Sequence, residues 1–158
     1  MKLYYCFMIF SICYFTSFSE SKAQDTETSS EFYKNSLQGT LGFAGLYAAA
    51  TSNYERILSF PKGKFVTATY LRAGLGAYGV WGGNGNYFYA QYGIFTGKKA
   101  SHFEISAGPN FGFNENSSEV PVIAASAGYR LQRPGKHFML RTGLGFPESL
   151  YFGLGWSF

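Results

Sequence analysis

The chain has 158 residues and a formal net charge of +4, with 20% aromatic but only 14% charged residues. A soluble domain usually carries ~25% charged residues, and a mean hydropathy of −0.07 argues against helical membrane spans. The basic excess comes partly from turn lysines and forms no stripe interleaved with exposed aromatics, so nothing in it supports nucleic-acid binding.

Met1-Lys2 gives a short positive start, Leu3 to Phe18 is apolar and uncharged, and Ser21-Lys22-Ala23 offers small residues where a signal peptidase reads. Residues 1–23 are therefore predicted to be a signal peptide, cleaved before Gln24. The apolar run, about 16 residues, is shorter than the roughly 20 a spanning helix needs. Cys6 and Cys13 fall inside the run, too early for a lipoprotein signal, and leave with it. The remaining chain, about 135 residues or one domain, then has no cysteine. Disulfides, zinc–thiolate sites and thiol nucleophiles are ruled out, and no metal or cofactor site is expected.

Gln24 to Ser36 is polar and Ser/Thr-rich, as in a disordered periplasmic lead. From 37 to 158 the chain falls into alternating segments divided by turn signals. These are Leu37–Phe43, Leu46–Ser59, Phe65–Val80, Tyr87–Thr96, His102–Phe113, Val120–Gln132, Lys136–Phe146 and Ser149–Phe158. Most are near or above the 9–11 residues that cross a bilayer as a tilted strand; the first is short. The expected fold is all-β, a single antiparallel up-and-down transmembrane β-barrel of eight strands. One set of turns, 60–64, 97–101 and 133–135, is tight and basic. The other set, Ala44-Gly45, Trp81–Asn86, Asn114–Glu119 and Pro147-Glu148, is neutral to acidic and holds the longest loops. This asymmetry is expected between the periplasmic and outer ends of an outer-membrane barrel.

Strand periodicity assigns faces. Phe138, Leu140, Thr142, Leu144 and Phe146 share one face, and Met139, Arg141, Gly143 and Gly145 the other. Phe103, Ile105, Ala107 and Phe111 likewise oppose His102, Glu104, Ser106 and Asn110; Leu71 and Leu75 oppose Arg72 and Gly74. Glu55, Arg72, Glu104, Arg130 and Arg141 then all point inward, where eight strands enclose a lumen that side chains fill. A network of paired charges closing the lumen is expected, with one positive charge left for Tyr, Asn110 or a backbone carbonyl to solvate. Inward glycines, if clustered at one depth, would instead leave a cavity.

The two histidines, His102 and His137, follow turns of the periplasmic set and are read as lumen or interface residues. No Ser/His/Glu grouping lies at the outer rim, so no catalytic residues are assigned. Gly74-Leu75-Gly76 lacks the strand-to-helix context of a phosphate loop. The closing Tyr151–Phe158 alternates large and small residues, with Phe152, Leu154, Trp156 and Phe158 on one face. Gly153, Trp156 and Phe158 match the C-terminal signal read by the outer-membrane assembly machinery.

From about Leu46 onward several blocks resemble a small outer-membrane β-barrel family of Bacteroidetes-type bacteria, of the OmpA/OmpX kind. They include Asn53-Tyr54-Glu55-Arg56, Leu71–Gly76, His102-Phe103-Glu104, Gly128-Tyr129-Arg130, Phe138–Gly143 and Gly153–Phe158. The resemblance implies a Gram-negative outer-membrane location and adds little about activity; the Pro147-Glu148 connection is shorter than the family pattern. The reading is a structural, adhesive or envelope-integrity barrel with a side-chain-closed lumen. A narrow channel or small hydrophobic-ligand binder is the alternative, and a lipid A-modifying enzyme a second. A soluble lipocalin-like barrel is the rival at the level of fold. Expected partners are outer-membrane lipids, lipopolysaccharide, periplasmic chaperones and the assembly machinery, around a monomer.

Overall fold

The computed structural model describes residues 32–61, 65–97, 99–113 and 122–158. The expected signal peptide (residues 1–23), residues 24–31 of the expected lead and the expected loop at 114–119 lie outside the described residues. The described chain is all-β. Its strands are β1 (Asn35–Ala44), β2 (Tyr47–Ser59), β3 (Val66–Val80), β4 (Gly83–Thr96), β5 (Ser101–Gly112), β6 (Ile123–Gln132), β7 (Phe138–Phe146) and β8 (Ser149–Ser157). Each pairs antiparallel with its neighbours in sequence, and β8 returns to β1, closing an eight-stranded up-and-down barrel. The closing seam runs from Ser36 opposite Ser157 to Phe43 opposite Leu150. Beyond it, Asn35 N donates to the Phe158 carbonyl at 3.1 Å and Phe158 N to the Asn35 carbonyl at 2.8 Å. Closure removes every unpaired strand edge.

Both strand ends of the seam, and the connections after β2, β4 and β6, lie at one end of the barrel, here the terminal end. The connections after β1, β3, β5 and β7 lie at the other, the loop end. Side chains alternate in and out along every strand, and the alternation is inverted relative to a soluble barrel. Leu41, Leu75, Ile105, Leu144 and Leu154 are exposed, whereas Glu55, Arg72, Glu104 and Arg130 are at most 2% exposed. Exposed aromatics gather toward both ends. Phe43, Trp81, Phe111 and Phe146 stand near the loop end, and Phe65, Phe103, Phe138 and Trp156 near the terminal end. The outward Arg56 sits at the terminal rim, in register with Asn35.

Three differences from the sequence reading have physical causes. β4 begins at Gly83 rather than Tyr87, so the expected Trp81–Asn86 loop reduces to a two-residue turn. Gly82 takes φ 93°, a value open mainly to glycine, and cross-strand pairing resumes at once with Val80 opposite Gly83. β7 begins at Phe138, because Lys136 N donates to the Arg133 carbonyl and keeps 133–136 in a turn. Finally, β1 starts at Asn35, so Asn35 and Ser36 belong to the barrel, and Phe32, expected in a disordered lead, is buried. Its ring finds apolar cover inside the terminal end, among Ile57, Ala68, Tyr70 and Phe95.

Candidate functional site

Period-two alternation brings one polar residue from every strand to a single layer across the lumen. The contributors are Gln38, Glu55, Arg72, Gln91, Glu104, Arg130, Arg141 and Tyr151, from β1 to β8 in order. All five charged residues expected in the lumen meet here. Arg72 donates from Nε and Nη2 to Glu55 Oε2, at 3.2 and 2.7 Å. Arg130 donates from Nε to Glu104 Oε2 at 2.9 Å and from Nη2 to Glu55 Oε2 at 2.5 Å. Arg141 donates from Nε to Glu104 Oε1 at 2.6 Å, again from Nη2, and from Nη1 to Gln38 Oε1 at 2.9 Å.

Glu104 is the hub. Arg130 and Arg141 are direct cross-strand partners on β6 and β7, a like-charge pair that repels if nothing lies between. The Glu104 carboxylate accepts from both, one oxygen each, and its Oε2 stands 3.6 Å from Arg72 Nη2. The surplus positive charge is solvated by amide oxygens and ring faces. Gln91 Oε1 and Gln132 Oε1 accept from Arg72 and Arg130. The Tyr70 ring lies 4.8 Å from the Arg72 guanidinium carbon and 5.0 Å from that of Arg130. The glutamines, Tyr70 and Tyr151 were legible only as residues in phase with the charges; nothing else in the sequence marks them.

Toward the loop end tyrosine rings take the space beside the inward glycines. A Cβ on Gly76 would land on the ring of Tyr87, and one on Gly74 on Asn53 Oδ1 and the ring of Tyr89. Tyr47, Tyr78, Tyr87 and Tyr89 form a ladder with successive centroids 6.0, 6.2 and 6.1 Å apart. Thr51 Oγ1 lies 2.9 Å from the Tyr87 hydroxyl, and the Tyr89 hydroxyl donates to Asn53 Oδ1. Glu148, from the short connection between β7 and β8, folds inward over this layer. It is 4% exposed, and its Oε1 accepts from Thr51 Oγ1 at 3.4 Å. Gly42 makes room for it, since any Cβ there would collide with the Glu148 carbonyl.

At the terminal end Phe32 meets Phe95 and His102 edge-on, with centroids 5.6 and 5.3 Å away. Both His102 ring nitrogens lie near backbone carbonyls, Nδ1 2.9 Å from Thr96 O and Nε2 3.0 Å from Gln132 O. His102 is thus a buried tie between strand ends. His137 lies outside the wall, stacked between Tyr33 at 4.4 Å and Trp156 at 5.0 Å. Of the three residues matching the assembly signal, Gly153 faces the lumen, while Trp156 and Phe158 face outward.

The outward face carries a groove of about 820 Å3 toward the loop end. Gly39, Ala50 and Ala77 form its floor, with Leu41 and Phe152 on one side and Phe113 on the other. Nothing among protein-family models, curated proteins or solved structures matches this chain.

Proposed function

We propose that the chain is an integral outer-membrane β-barrel protein of a Gram-negative bacterium, with a structural, adhesive or envelope-integrity role and a lumen closed by its own side chains. The observation that carries this reading is the inversion of polarity. Leucine, isoleucine and phenylalanine cover the outside while six charged residues, Glu55, Arg72, Glu104, Arg130, Arg141 and Glu148, are buried within. In water such a surface would leave far more than a few hundred Å2 of continuous apolar patch. Acyl chains give it a matching solvent, and the aromatics near both ends suit the two interfaces. Outer-membrane lipids and lipopolysaccharide are then its immediate partners, with acyl chains filling the shallow groove between Phe152 and Phe113. The ladder of tyrosines, the charged layer and the Phe32 plug, stacked along the axis, support a closed pore over a conducting one.

The reading is tested by expressing the full chain in a Gram-negative host and fractionating the envelope. The protein should enter the outer-membrane fraction, resist extraction by urea, and migrate differently on gels before and after heating. Purified in denaturant, it should fold in detergent micelles and aggregate in buffer. A monodisperse, folded monomer in buffer without detergent would contradict the proposal.

A further inference from the structure

Between the arginine layer and Glu148 the lumen holds a cavity of about 10 Å3, bordered by Arg72, Gln91, Ser126, Arg141 and Glu148. That is about the room one water molecule requires, provided two to four polar partners surround it. Hydrogen-bond directions around the cavity are fixed by their neighbours. Gln91 Oε1 accepts from Ser106 Oγ at 3.1 Å and from Arg72 Nη1 at 3.5 Å. The reverse amide orientation would set two donors against each other, so Nε2 is the atom left over. It is buried and has no hydrogen-bond partner among the described residues. Ser106 has spent its only proton on Gln91, so in its 2.8 Å contact with Ser126 the proton comes from Ser126. Ser126 Oγ can then only accept from a further partner. The Glu148 carboxylate also only accepts, while the guanidiniums of Arg72 and Arg141 only donate.

We propose that this cavity is a binding site for one ordered water molecule. It accepts from Gln91 Nε2 and an arginine N–H, and donates to the Glu148 carboxylate and Ser126 Oγ. A cation at this point would face guanidinium groups and an amide N–H. An anion would face a carboxylate and a hydroxyl lone pair. A small molecule with two donors and two acceptors suits these five residues. Thr40, Tyr89 and Tyr151 complete the lining, and the two tyrosine hydroxyls donate elsewhere, to Asn53 and Glu104. The water brings Glu148 into the charged layer as its third carboxylate, so Arg72, Arg130 and Arg141 are matched by Glu55, Glu104 and Glu148. It also ties the β7–β8 turn to the arginines, closing the loop end without a direct ion pair.

The test is a crystal structure of the refolded chain, grown in bromide at a resolution that shows ordered water. The expected result is a water peak about 2.7–3.2 Å from both Gln91 Nε2 and a Glu148 oxygen. In Gln91→Leu the peak should disappear while the Ser106–Ser126 bond remains. An anomalous bromide peak, a direct Gln91–Glu148 bond, or the same water retained in Gln91→Leu would each overturn the proposal. If that variant does not fold, the wild-type Gln91 side-chain amide in micelles should show magnetisation transfer from a bound water. Its absence there would be equally decisive against the site.

Discussion

Arg130 on β6 reaches Glu55 on β2 across the full width of the lumen, with Nη2 2.5 Å from Oε2. In a closed barrel of eight consecutive strands, β2 and β6 are diametrically opposed. This one ion pair therefore spans the pore. Arg72 and Glu104 on intervening strands join it on one side, and Arg141 and Gln38 on the other. The layer braces opposite walls of the barrel.

Removing the hub should show this most strongly. Glu104→Ala leaves Arg130 and Arg141 facing one another, buried, without the carboxylate between them. Breaking such a buried pair costs about 3–5 kcal/mol. The heat-modifiable band of the folded barrel should then be lost at a clearly lower temperature than in wild type. Glu104→Gln, which keeps the hydrogen-bond acceptor but not the charge, should fall between the two. Equal melting of all three proteins would mean that the layer contributes nothing to stability.

Phe32 holds the chain before β1 inside the terminal end. Its ring is almost fully buried, which is worth about 1.5–3 kcal/mol. Phe32→Ala should loosen this segment more than the barrel. Trypsin cleavage after Lys34, whose carbonyl accepts from Ile57 N at 2.7 Å, should speed up while the barrel core survives. Unchanged cleavage would show that the aromatic plug does not anchor the segment.

Gly42 and Gly39 lie three residues apart on β1 and point to opposite faces. A side chain at Gly42 collides with the Glu148 backbone, whereas one at Gly39 meets nothing within 4 Å. Gly42→Val should therefore push the β7–β8 turn out of the lumen and destabilise the barrel by about 1–3 kcal/mol. Gly39→Val should be near neutral. Denaturant titration in micelles distinguishes them, and an equal loss in both would deny the inward turn.

The last pairing of the barrel depends on Phe158, through two backbone hydrogen bonds to Asn35. Deleting Phe158 should reduce assembly in cells sharply, read as accumulation of unfolded protein in the periplasmic fraction. Refolding of the purified variant in micelles should persist with a lower melting temperature, since β8 keeps the pairing from Ser36 to Phe43. Normal assembly in cells would remove Phe158 from any role as a signal.

Much of this was legible because strand periodicity assigns faces without knowledge of contacts. Arg72, Glu104, Arg130 and Arg141 each sit in phase with glycines and out of phase with large apolar residues (leucines on β3, β6 and β7, Phe103 and Ile105 on β5), so their inward direction follows from the alternation. Three features had no such signal. Glu148 lies in a turn, where period two says nothing, and it points inward only because Gly42 leaves space on the neighbouring strand. Gly83 to Asn86 reads as a loop by composition, yet it pairs with β3 and gives Tyr78 room over Gly85. Phe32 follows a polar run, and its burial depends on a pocket formed by residues from β2 to β4. The burial of Glu148 and of Phe32 depends on neighbours distant in sequence, and local pattern does not encode that. Gly83 to Asn86 instead pair locally with Ala77 to Val80, which a Gly/Asn composition hides.

The inverted exterior can be measured directly at Leu75, which points outward from β3 and is 60% exposed. The chain from Gln24 carries no other cysteine, so Leu75→Cys can take a single nitroxide label after refolding into lipid vesicles. Oxygen, which partitions into acyl chains, should relax the label strongly, and a water-soluble nickel chelate should scarcely reach it. Strong relaxation by nickel with little by oxygen would place that face in water and contradict a membrane-embedded barrel.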